Sequence, residues 1–425
     1  MFSLALFSVA LFAYALVSKR VSTTMVTGPM LFAALGLVVG PEGLDIISVE
    51  LDTEFVQLLL EGTLVLVLFA DAAVIDVRAA RREAFLPGRL LGIGLPLTMV
   101  AGVLAALVLF DQIGVWEAMV IAVILAPTDA ALGQAVVSNQ SVPAMVRQGL
   151  SVESGLNDGI AVPFLTIAIA GAANEMATGG EIVHVFAAEI GWAVVAGLLV
   201  GWAGAALLKA AGSKGWVARD WRLLVAPVLA MLAFALADPI GGSGFIAAFV
   251  GGITFGHLVR DVYPDICDFS EGFSHLLTVV VFFVFGALLL GPSLPLISWQ
   301  MVAFGAASLT VVRMVPVAIA LFGTGMRFRS ISFIGWFGPR GLASLVFAGT
   351  VVVEAEPDKA AFIVAAVSTV VAMSIVAHGV TAVPWSRRYG EWYRQHSEEG
   401  TEMSESMKVE HMPNRRRLQV EPKRR

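Results

Sequence analysis

Long apolar runs separated by short polar breaks dominate the chain, and the runs are of membrane length. Windows of about twenty residues on a hydropathy scale predict about thirteen transmembrane helices. They fall near 2–18, 21–41, 54–75, 90–110, 115–137, 149–173, 182–208, 223–238, 243–258, 273–292, 298–323, 331–353 and 360–385. The stretch 272–312 lacks Lys, Arg, Asp and Glu over 41 residues, too long for one crossing, and Gly291-Pro292 divides it. The alternating ten-residue segments of a membrane barrel are not seen. An all-α polytopic membrane protein is therefore expected. Residues 2–17 imitate a secretory leader, but Lys19-Arg20 follows the apolar run instead of preceding it, so a retained first helix is expected.

Composition agrees: 58% of residues are hydrophobic and 14% charged, too little charge to cover a soluble surface of this size. The basic residues set the topology. One set of loops holds Lys19, Arg20, Arg78, Arg81, Arg82, Arg89, Arg147, Lys209, Lys214, Arg219, Arg222, Arg260, Arg327 and Arg329. The opposite set carries Glu42, Asp45, Glu50, Asp52, Asp111, Glu175, Glu181, Glu354, Glu356 and Asp358, with Lys359 as its only basic residue. This predicts the N-terminus outside and the C-terminus in the cytoplasm of a multi-pass cell-membrane protein, a bacterial inner membrane being the first choice. Residues 386–425 are expected to form a short polar cytoplasmic tail, too short for a core of its own. Its clusters Arg415-Arg416-Arg417 and Lys423-Arg424-Arg425 either fix topology or meet lipid headgroups. Cys267 is the one cysteine and the six histidines are scattered, so no cysteine- or histidine-based metal site is expected, nor a cofactor, a nucleic-acid partner or enzymatic chemistry.

Three segments place ionisable groups at bilayer depth. Pro127-Thr128-Asp129 interrupts the fifth span, where proline removes a backbone donor and should break the helix. Carbonyls freed near Ala126 and Thr128 could meet a cation, and Asp129 could cap the following half-helix. The sixth span contains Glu153-Ser154-Gly155-Leu156-Asn157-Asp158-Gly159. Ser154 and Asp158 share one helix face, Glu153 and Asn157 a neighbouring one. The first pair offers hard oxygens to a dehydrated cation, and the Asp158 carboxylate can take the metal ion or a proton in competition. The twelfth span carries Phe337-Gly338-Pro339-Arg340-Gly341, a second break. Two interrupted helices at equivalent places of two halves point to the substrate site of an inverted-repeat transporter. The repeats would be spans four to six and eleven to thirteen. Asp129, Glu153, Asp158, Arg313 and Arg340 would together cost roughly 12–18 kcal/mol if unpaired. Arg340 is expected to pair with Glu153, and Arg313 either joins the network or snorkels to the cytoplasmic surface. Asp71 is either an outer oxygen of the site or a boundary carboxylate.

These motifs together resemble the NhaP branch of the monovalent cation/proton antiporters, which is similar to the animal sodium/proton exchangers. The resemblance covers about residues 1–385. It implies a thirteen-helix NhaA/NhaP-like fold with two crossed, broken helices, in a homodimer. Core spans near 90–173 and 298–385 would move against a dimerisation scaffold near 1–75 and 182–292. It implies that Asp158 carries ion or proton, with Thr128 and Ser154 as further oxygen donors, and that Asn157 interacts with Glu153 and Arg340; Asp129, at the first break, is counted with them as an ion- or proton-binding candidate. An Asn-Asp pair implies electroneutral exchange of one cation, sodium first and potassium second, for one proton. A proton-uncoupled cation channel is the alternative of a different class. The family often has a glutamate directly after Leu-Phe in the third span. This chain has Leu68-Phe69-Ala70-Asp71, with a shorter carboxylate one place later.

Overall fold

The computed structural model describes residues 2–21, 24–46, 54–75, 85–129, 132–173 and 179–398. Glu50, Asp52, Arg78, Arg81, Arg82, Glu175 and the two basic clusters at the C-terminus lie outside the described residues. Among those described, regular structure is entirely helical. The order is α1 (Phe2–Val21), α2 (Gly28–Val39), α3 (Glu54–Ala73), α4 (Phe85–Leu109), α5 (Val115–Ile124) and the single turn α6 (Gln134–Val137). There follow α7 (Ala144–Ala172), α8 (Gly179–Ser213), α9 (Arg219–Leu223), α10 (Val225–Ala237), α11 (Gly244–Val259) and α12 (Pro264–Val284). The chain ends with α13 (Trp299–Ala320), α14 (Phe328–Trp336), α15 (Leu342–Glu354) and α16 (Pro357–Glu398).

Helix thus falls in every apolar window. Seven helices among the described residues are long and apolar enough to cross a membrane, and five more are apolar and 10–17 residues long. Two of those five, α5 and α15, are short because each belongs to a broken span. Exposed large apolar side chains such as Phe12, Leu16, Trp202, Leu207, Val228 and Phe322 point outward from the bundle, where lipid rather than water is the natural solvent.

One buried apolar cluster runs through α4, α5, α7, α13, α15 and α16 and continues into α2, α3 and α12. A second joins α8, α10 and α11 to Val65 and Phe69 of α3. A third lies at the opposite end of the broken helices, where Val136, Met145, Leu321, Phe333 and Tyr389 meet. Three arginines of the basic loops reach across to neighbouring elements. Arg222 binds Asp265 at 2.6 Å, Arg260 donates to Val74 O, and Arg89 donates to Ala320 O and Phe322 O. Lys359 binds Glu117 at 3.2 Å, joining the first turns of α5 and α16.

One boundary needs correction. The polar tail expected from residue 386 begins as helix, because α16 continues to Glu398. Trp385, Tyr389 and Trp392 recur at helical spacing and keep an apolar stripe that the charged residues around them hide. Tyr389 is buried, stacks on Phe333 with centroids 4.3 Å apart, and donates to Ser330 Oγ at 2.9 Å. Arg329 lies over the Trp392 ring.

Candidate ion site at the crossed helix breaks

Proline dictates both interruptions. Helix α5 ends at Ile124, three residues before Pro127, and α14 ends at Trp336, three before Pro339. The two extended segments meet: the Asp129 amide donates to Pro339 O at 2.8 Å. Each break then supplies the charge that the other half-helix end needs. Arg340 Nη1 donates to Ala126 O at 2.7 Å and Pro127 O at 3.1 Å, meeting the carbonyl end of α5. Asp129 Oδ2 accepts from the Leu342 amide at 2.6 Å, capping the amide end of α15, and its Oδ1 accepts from Leu132 N. Ser344 Oγ completes the exchange by donating to Ile124 O.

Two glycines permit this approach. A Cβ on Gly338 would sit 2.6 Å from Arg313 Nε and 3.0 Å from Thr128 Cγ2, and one on Gly341 would collide with the Asp129 carboxylate.

Helix α7 brings its polar face to the crossing. Thr128 Oγ1 lies 2.8 Å from Ser154 Oγ and accepts from Asn157 Nδ2 at 2.8 Å. Asp158 follows one turn after Ser154 and is 9% exposed, and its Oδ1 has no hydrogen-bond partner. The Asn157 Oδ1 is likewise buried without one. The site therefore offers a carboxylate with spare coordination beside two hydroxyls and an amide oxygen. Such a set suits a monovalent cation or a proton.

A comparison with protein families now decides the chain's kinship. The model described as "Sodium/hydrogen exchanger, transmembrane" matches residues 7–388. The chain belongs to the sodium/hydrogen exchanger family. Among curated relatives, it is 26% identical over 346 residues to the K(+)/H(+) antiporter NhaP2 of Shewanella sp. (strain MR-4), covering 78% of this chain and 57% of that protein. It is 27% identical over 244 residues to the Na(+)/H(+) antiporter 2 of Zygosaccharomyces rouxii, covering 52% and 30%. The match thus spans little more than half the length of NhaP2. Among solved structures, the sodium proton antiporter MjNhaP1 from Methanocaldococcus jannaschii superposes with a TM-score of 0.77. It is 20% identical and covers 92% of this chain and 99% of that one. That likeness establishes a shared fold.

The contacts of the buried charges differ from those expected. Glu153 is paired with Arg313, whose Nη2 lies 2.6 Å from Oε1, both side chains being 1% exposed. Arg340 instead serves the α5 carbonyls. Asn157 reaches Thr128 rather than Glu153 and Arg340. Arg313 neither snorkels nor lies near a surface. It stands seven residues, about 10 Å, from the C-terminal end of α13, and its turn toward Glu153 rather than that end is what buries it. Asp129 spends both oxygens on backbone amides, which leaves it poorly placed as an ion ligand. Asp71 is half-buried on α3.

Sequence reasoning passed over Ser374 and His378 of α16. Ser374 Oγ accepts from the Arg340 amide at 2.7 Å, and His378 Nε2 lies 2.9 Å from Trp336 O. A Ser-x-x-x-His pair within an apolar span opposite a broken helix was the visible hint.

Proposed function

We propose that this chain is a secondary antiporter that exchanges a monovalent cation for protons by exposing one site around Asp158 alternately to the two sides of the membrane. The observation that carries the reading is the buried Asp158 carboxylate with an unpartnered oxygen, set beside Thr128 and Ser154 where two broken helices cross. Bound cation neutralises the carboxylate, and so does a bound proton. The empty, charged site is the state least suited to move through an apolar barrier. Exchange follows because the carboxylate holds one or the other. Asn157, neutral and held by Thr128, adds no second charge, which supports one-for-one, electroneutral exchange.

On this reading Thr128 and Ser154 complete the cation site, and Asp129 with Arg340 fixes the crossing that presents it. The regions near 90–173 and 298–385 form the moving core and those near 1–75 and 182–292 the scaffold of a homodimer, with the C-terminus cytoplasmic. Sodium is the first choice of cation. Potassium is the second reading, supported by the K(+)/H(+) antiporter name of the Shewanella relatives. Oxygen donors of this kind select by cavity size and rigidity rather than by type.

The test is ion-driven proton flux in proteoliposomes. Asp158→Asn is expected to abolish flux driven by sodium or potassium while leaving yield and thermal stability near wild type. Retained flux in that variant contradicts the assignment, and cation current without proton coupling in the wild type would favour a channel.

A further inference from the structure

In an unbroken α-helix the amide of residue 340 would donate to the carbonyl of residue 336. The break at Phe337 to Gly341 opens that bond in a buried region, where main-chain donors and acceptors need partners: the Arg340 amide loses its main-chain acceptor, and Trp336 O keeps the Gly338 amide at 2.9 Å with its second lone pair open. Both meet side chains of one neighbouring helix. The Arg340 amide donates to Ser374 Oγ at 2.7 Å, and His378 Nε2 lies 2.9 Å from Trp336 O. Ser374 and His378 are one turn apart on α16, and the serine oxygen is 3.1 Å from His378 Nδ1. Trp336 is tied to the same helix a second time, through Nε1 donating to Thr381 Oγ1 at 2.9 Å.

We propose that Ser374 and His378 splice the broken helix, replacing the lost 336–340 main-chain bond with a side-chain bridge, and that His378 is thereby a positioning residue for Arg340. The proton inventory fixes how the bridge works. Ser374 Oγ accepts from the Arg340 amide, so its own hydrogen is free to donate to His378 Nδ1. That leaves the imidazole proton on Nε2, where it donates to Trp336 O. A proton on Nδ1 alone would turn the Nε2 lone pair against Trp336 O with no donor to relieve it, whereas the Nδ1 lone pair, which also faces Ser374 O, receives the serine hydrogen. An imidazolium would satisfy both Trp336 O and Ser374 O, which lies 2.9 Å from Nδ1. It would also add a third cation beside Arg340 and Arg313. His378 is therefore neutral, with its proton on Nε2. The bridge orients the main chain at residue 340, and the guanidinium follows to the Ala126 and Pro127 carbonyls.

The transport consequence rests on the antiporter reading, whereas the bridge does not, so the experiment has two arms. In the first, full-length protein in detergent is followed by hydrogen–deuterium exchange over residues 337–342 and by nitrogen NMR of the labelled imidazole. Wild type should show the Nε2–H tautomer. Ser374→Ala and His378→Ala should speed exchange of the Arg340 amide by about tenfold. His378→Gln should recover most of the protection, because its side-chain amide can donate to Trp336 O. In the second arm, His378→Ala should raise the apparent KM for sodium or potassium in proteoliposomes, and His378→Gln should restore it. Unchanged exchange over 337–342 in both alanine variants, or a wild-type imidazole carrying its proton on Nδ1, overturns the proposal. Should His378→Ala fail to fold, Ser374→Ala and the wild-type imidazole signal still decide it. A wild type without transport but with the expected exchange pattern refutes the antiporter reading and leaves the bridge standing.

Discussion

Glu153 and Arg313 sit 2.6 Å apart with almost no exposure, so neither charge can be removed without stranding the other. Breaking a buried pair from one side typically costs about 3–5 kcal/mol. Arg313→Ala should therefore lower unfolding stability in detergent by about that amount, and Glu153→Gln with Arg313→Gln should recover part of it. A double-mutant cycle should give a larger coupling for Glu153 with Arg313 than for Glu153 with Arg340. The reverse order would return Arg340 to the role expected from the sequence. The sequence suggested Arg340 because it lies in a break, where a charge needs explaining. Both arginines stand alone in apolar spans, and which one meets Glu153 depends on which helix packs against α7. Hydropathy does not encode that neighbour.

At the scale of elements, each broken helix is capped by the other. Asp129 serves the first turn of α15, more than two hundred residues away, and Arg340 serves the last carbonyls of α5. Asp129→Ala should cost about 1–2 kcal/mol of stability as a lost cap. Asp129→Asn, which can still accept from an amide, should cost less and leave apparent cation affinity unchanged. A marked loss of affinity in Asp129→Asn would make it an ion ligand after all. The breaks were legible because Pro127 and Pro339 state them outright, and Ser154 and Asp158 were legible through their four-residue spacing. The crossing partners were not, since they join distant segments. The C-terminal end of α16 was misjudged because Arg387, Arg388 and Glu391 mask the stripe of Trp385, Tyr389 and Trp392. Truncation after residue 385 should reduce thermal stability, through loss of the Tyr389 contacts with Phe333 and Ser330, whereas truncation after residue 398 should not. Equal stability of the two truncations would show that this part of α16 contributes nothing to the bundle.

For the whole molecule, composition alone implied a polytopic membrane protein, and membership of the sodium/hydrogen exchanger family over residues 7–388 agrees with it. The apolar windows found the helices because lipid leaves the backbone few alternatives. How the bundle divides into moving and static parts was less legible, since one apolar cluster runs from the crossed helices into α2, α3 and α12. The account's central claim is that cation and proton compete for the single carboxylate of Asp158. It is tested most directly by the pH dependence of cation-driven exchange in proteoliposomes. Protons in excess occupy the site, so on the acid side of its titration the apparent KM for the cation should rise about tenfold per pH unit at a constant maximal rate. A maximal rate that falls with pH while the apparent KM stays constant would contradict it.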